Sequence, residues 1–219
     1  MQKKTQPVAE RHPGASQLTS SAHTIPARRT IYHPKEWSDF VLIICSGRAT
    51  SSIALPDGRR QILSFLLPGD IVFAAGLFEP MTGHSVEAIT EVTYRKFKRS
   101  EFKKLLFEYP DLIEKLSKVW REETTRADQL ALDLGRRKAN ERIARLILSL
   151  AERLARRGMM RGQTMDFPLR QRHIADAMGL TPVHVSKVMG EFQRAGMIEI
   201  NSRSLTIINA AELRQVAGP

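Results

Sequence analysis

The sequence predicts an α+β fold in three pieces: a small β-barrel or jelly roll, a long helix, and a winged helix-turn-helix. Three observations predict it. Short apolar runs separated by Pro- and Gly-containing turns recur from 25 to 99. A 3.5-residue apolar repeat follows, through Ile113, Leu116, Trp120, Ala127, Leu130 and Leu134. The stretch 171–188 then reads as two short helices about a glycine turn.

Composition narrows the function. The 219 residues carry 34 Lys and Arg against 23 Asp and Glu, a net +11. From Arg136 onward there are 15 basic and 7 acidic residues, so net +8 falls in the last part, where a polyanion is the natural partner. Cys45 is the only cysteine, so neither an intrachain disulfide nor a four-thiolate cluster can form within one chain. A reducing cytoplasm fits that usage. No apolar run reaches the length of a membrane span, and the N-terminus lacks the apolar core of a secretory signal. No His-x-His pair, Ser/His/Asp set, phosphate-cradling glycine loop or convincing carboxylate pair points to catalysis.

In chain order, residues 1–24 are polar and poor in large apolar residues, which predicts a loose tail. Residues 25–108 form the β-roll. The run 40–45 is apolar and is closed by Ser46-Gly47. Pro56-Asp57-Gly58 and Pro68-Gly69-Asp70 are turns in which proline presets φ and Asp and Gly tolerate the bend. They separate strands expected at 51–55, 60–67 and 71–73. Residues 85–97 supply one or two more. A short amphipathic helix follows on Phe102, Leu105 and Leu106. The helix 109–134 carries the apolar repeat, and Gly135 is expected to end it. Its repeat reads as a dimer seam or as a face packed on the chain's own β domain. The pairing of the seam with a motif that works in twos favours the dimer.

The last domain is predicted over 135–219. A helix at 139–156 puts Ile143, Leu146, Ile147, Leu150 and Leu154 on one face. A polar linker, 157–167, precedes the turn motif. There Ile174 and Met178 share a face, Gly179 supplies the tight turn, and Leu180 plugs it. Thr181 caps the second helix, Pro182 opens it, and Val185 and Val188 point back at the first. Strands 197–200 and 205–208 about Asn201-Ser202-Arg203-Ser204 form the wing.

The order of the pieces resembles the CRP/FNR family of bacterial transcription regulators, and within it the FNR-type members of alphaproteobacteria. The resemblance is carried by Pro56-Asp57-Gly58 through Pro68-Gly69-Asp70, by Leu134-Gly135-Arg136-Arg137 with Glu141-Arg142-Ile143-Ala144-Arg145-Leu146, by 171–188, and by Leu205-Thr206-Ile207. It implies a cyclic-nucleotide-binding-like roll, a homodimer, double-stranded DNA as partner and contact with RNA polymerase. It also allows effectors to be tested. Cyclic-AMP-binding members hold the ribose with the Glu of a Gly-Glu-Leu run and the phosphate with an Arg before Ser or Thr. The matching positions here look like Phe73-Ala74-Ala75, before Gly76-Leu77-Phe78, and His84 before Ser85. Without a guanidinium there is no bidentate phosphate clamp, which argues against cyclic AMP. The tail has no cysteines for an iron–sulfur cluster. His12, His23, His33, His84, His173 and His184 show no metal-ligand spacing and read as solvated or hydrogen-bonded surface groups. Cys45 is a candidate redox switch, although its place at the end of an apolar strand reads as a core thiol.

The resemblance places Val183, Ser186 and Lys187 against base edges in the major groove, with Val183 where relatives have Glu and Lys187 where they have Arg. Gln171, Arg172, Thr181, His184 and Arg203 are placed for phosphate contacts. Two readings of control stay open: gating by a signal at the roll, or a constitutive regulator set by abundance or by oxidation of Cys45.

Overall fold

A computed structural model of the chain describes residues 20–34, 38–72 and 83–218. It divides into two units, Met1–Gly58 with Leu63–Ala127, and Arg59–Ile62 with Asp128–Pro219.

Among the described residues the first unit is built on two four-stranded sheets, although residues 60–62 of one strand fall in the second unit. One has the order β1 (Ser20–Ile25), β8 (Val92–Lys98), β3 (Phe40–Ser46), β6 (Ile71–Val72). The other runs β2 (Thr30–Tyr32), β7 (Ser85–Ala88), β4 (Ala49–Ala54), β5 (Arg60–Leu66). The apolar run of β3 is continuous because both faces of the strand are covered. Leu42 and Ile44 pack between the sheets with Tyr32, Ala49, Val86, Val92 and Tyr94. Val41 and Ile43 face the other way, against Phe97 and two helices, α1 (Arg99–Glu108) and α2 (Pro110–Arg136). The β3–β4 turn requires glycine. Gly47 has φ +84°, and a Cβ there would sit 2.1 Å from the Glu91 carbonyl oxygen. At the β5–β6 turn the Asp70 carboxylate accepts from the Leu67 amide at 2.8 Å.

The second unit holds α3 (Ala139–Arg156), β9 (Thr164–Asp166), α4 (Gln171–Met178), α5 (Pro182–Arg194), β10 (Ile198–Asn201), β11 (Ser204–Ile207) and α6 (Ala210–Ala217). α3 packs against α4, α5 and α6, and its Ile143, Ile147 and Leu154 are fully buried. The sheet order is β10-β11-β9.

Four expectations are corrected. The tail 1–24 ends too late: 20–24 lie in β1, which pairs with β8 along its length. The linker 157–167 contains β9, which pairs with β11. Gly135 does not end α2, which runs on to Arg136; a single glycine lowers helix propensity without forbidding the helix. Part of the apolar repeat expected as a seam packs on its own domain instead. Leu116 is buried in the core of its own roll with Leu112, and Trp120 packs partly against that core. The sheet face needed a cover, and the Leu112/Leu116 stripe supplies it. Ile113, half exposed, and Ala127, exposed, remain on the free side, while Leu130 and Leu134 are half-buried. Among the described residues no helix is long and apolar enough to cross a membrane.

Candidate nucleic-acid interface

The reading head is held from three sides. At the start of α4, the Arg170 amide donates to Nδ1 of His173 at 3.1 Å. The imidazole, 5 % exposed, does the work of the acidic third residue in a capping box. His173 is therefore not the surface histidine expected from sequence. At the other end Gly179 takes φ +63°, and the Leu180 amide donates back to the Ala175 carbonyl at 3.0 Å. A Cβ on Gly179 would press on Leu134 Cδ2 at 3.2 Å. Arg142 Nη1 donates to the Met178 carbonyl at 2.9 Å, and its Nε donates to the Arg137 carbonyl at 2.8 Å. The guanidinium thus caps α4 and ties it to the end of α2. Nearby, Asp133, 7 % exposed, pairs with Arg137 at 2.5 Å and Arg145 at 3.2 Å.

α5 begins as its residues dictate. The Thr181 hydroxyl accepts from the His184 amide at 3.2 Å, and Pro182 takes the first helical position. Val185, Val188, Met189 and Phe192 are buried, spaced 3, 1 and 3 along one face. The opposite face is free. Val183 is 80 % exposed, and Ser186, Lys187 and His184 are exposed with it. Gln171 and Arg172 are exposed in the first turn of α4. Arg203 is exposed at the wing tip, where Ser202 takes φ +53°. The exposed cationic groups Arg172, Lys187 and Arg203 thus come from three elements of one unit. Sequence reading missed Arg142, whose role needs the fold.

The chain matches the model of a Crp-like helix-turn-helix domain over residues 141–216 and that of a cyclic nucleotide-binding domain over 22–109. It is 31 % identical to the transcriptional activator protein FnrL of Cereibacter sphaeroides over 88 % of this chain and 78 % of that protein. The chain belongs to the CRP/FNR family. It is a DNA-binding transcription regulator of the FNR/FixK type. The nitrogen fixation regulation protein FixK of Bradyrhizobium diazoefficiens is 34 % identical over 74 % of this chain and 68 % of its own. The structure of FixK2 from Bradyrhizobium japonicum superimposes with a TM-score of 0.83 at 28 % identity, covering 92 % of this chain and 99 % of that one.

Within this CRP/FNR member the effector positions Phe73 to Phe78 lie outside the described residues, as does His12. His84 is half-buried, and that burial holds its pKa below 6.5. Cys45 is half-buried, neither sealed in the core nor open, with Sγ 3.7 Å from the Ile43 carbonyl. His23 stacks on Tyr94 with ring centroids 5.5 Å apart. Among the described residues no group of three or more His, Cys, Asp and Glu could hold a metal.

Proposed function

We propose that two copies of the chain bind an inverted-repeat DNA site and activate transcription from it. The observation that carries this reading is the division of α5 into a buried face and a free one bearing Val183, Ser186 and Lys187. In a major groove, Val183 meets a thymine methyl, Ser186 serves either base, and Lys187 donates to guanine O6 or N7. Gln171, Arg172, Thr181, His184 and Arg203 hold the phosphates and fix register. The part of α2 that carries the exposed Ile113 and Ala127 and the half-buried Leu130 and Leu134 pairs with its copy. The names of FnrL and of AadR from Rhodopseudomonas palustris, as activator and activatory protein, support activation and hence a contact with RNA polymerase. Selection of binding sites from random DNA, followed by transcription with purified polymerase, tests the proposal. Recovered palindromes that raise transcript yield support it, and selection without a consensus sinks it.

His84 favours an effector other than cyclic AMP, or none. A half-buried imidazole held towards its neutral form offers no fixed charge to a cyclic phosphate. DNA affinity is expected to be unchanged by saturating cyclic AMP, and a tenfold gain would overturn this reading.

A further inference from the structure

Gly190 sits inside α5, where a glycine weakens a helix and the fold has no visible need of it. Its φ is not positive. Among the described residues, and beyond the backbone of its own helix, the atom a Cβ would meet within 4 Å is Nη1 of Arg194, at 3.4 Å. Counting by 100° per residue, Val183, Lys187, Gly190 and Arg194 form one stripe, opposite the buried Val185, Val188 and Phe192. Helical side chains lean toward the N-terminus. Arg194 therefore spans back about 6 Å, one helical turn, and lays its guanidinium in the space that Gly190 leaves open.

We propose that Arg194 is a further DNA-reading residue of the recognition helix, and that Gly190 is the notch that brings its guanidinium and the helix backbone close to the DNA. The guanidinium is a planar donor fork suited to paired acceptors, which both a guanine edge and a phosphate present. It would supply the fork that Lys187, as a point charge, lacks. The inference rests on α5 being the helix that faces DNA.

The test uses the full-length chain on a site selected with the wild type. Arg194→Gln and Gly190→Ala are each expected to weaken binding at least tenfold. The melting temperature should be unchanged for Arg194→Gln and equal or higher for Gly190→Ala. A loss confined to one base pair, read by binding to single-substituted sites, assigns the fork to a guanine. A uniform loss with a shallower salt dependence assigns it to a phosphate. Either supports the proposal. Binding by Arg194→Gln within twofold of wild type overturns it, even if Gly190→Ala is impaired, and so does a loss that only tracks a lower melting temperature. If the wild type selects no site, the reading of α5 as the DNA-facing helix fails and this inference fails with it. If the wild type selects a site and both variants keep it, only this inference fails.

Discussion

Lys187 stands on the exposed stripe of α5, four residues after an 80 % exposed valine. Replacing it by alanine is expected to cost roughly 1–3 kcal/mol of specific binding and to relax preference at one base pair. Titrations against single-substituted sites check this, and equal loss on all of them would make Lys187 a phosphate contact. His84 carries a prediction about acid. Its folded-state pKa lies below 6.5, so the unfolded chain takes up the proton first. The stability it contributes is full above that value and is lost as pH falls through the folded pKa. Melting temperatures from about pH 7.5 down to 5 should fall more steeply in wild type than in His84→Gln; equal slopes would refute the assignment. Thr181, Pro182 and Gly179 were legible from sequence because capping and turn chemistry are local. His173 was not, because a histidine at the third helical position reads as polar surface until its ring is seen accepting from Arg170.

At the scale of elements, α2 shows where periodicity stops informing. Its repeat is real, but spacing alone cannot say which partner each residue meets. Leu116 faces its own sheet and Ile113 does not. Leu116→Ala is expected to destabilise the fold by roughly 2–5 kcal/mol, as for other buried leucines. Ala127→Glu, on the free side, should leave the melting of the fold nearly unchanged while shifting sedimentation toward monomer. A dimer that survives Ala127→Glu intact would move the interface elsewhere. The turn offers a second check. Gly179→Ala forces a left-handed conformation on a residue with a Cβ, against Leu134, and should cost about 1–2 kcal/mol in denaturant melts. β3, β5, α3 and α5 were readable because their burial pattern is written in their own residues. β1 was not. Its four central residues, Ser21, Ala22, His23 and Thr24, are exposed and include no large apolar side chain, and its structure comes from pairing with β8. α6 escaped for a similar reason: it is eight residues long, and only Leu213 and Ala217 are buried.

For the whole molecule, net +8 of +11 lies from Arg136 onward, in the part that holds the candidate interface. Charge of that placement implies binding that weakens steeply with salt. If a dimer makes six to ten phosphate contacts, affinity should drop by about 10³–10⁵ between roughly 50 and 200 mM salt. A flat salt profile would show that phosphate neutralisation contributes little to binding. The family and the fold were legible because turn, cap and glycine signals agree in order along the chain. The effector was not, because the positions that resemble the family's cyclic-AMP contacts read Phe73-Ala74-Ala75 and His84, which name no other ligand. The central claim, a dimer reading DNA through α5, meets its most direct test in footprinting on sites selected from random DNA. Two protected half-sites in inverted repeat are expected, with centres one helical turn, about 34 Å, apart. A single half-site bound by one chain, or protection without sequence preference, would contradict it.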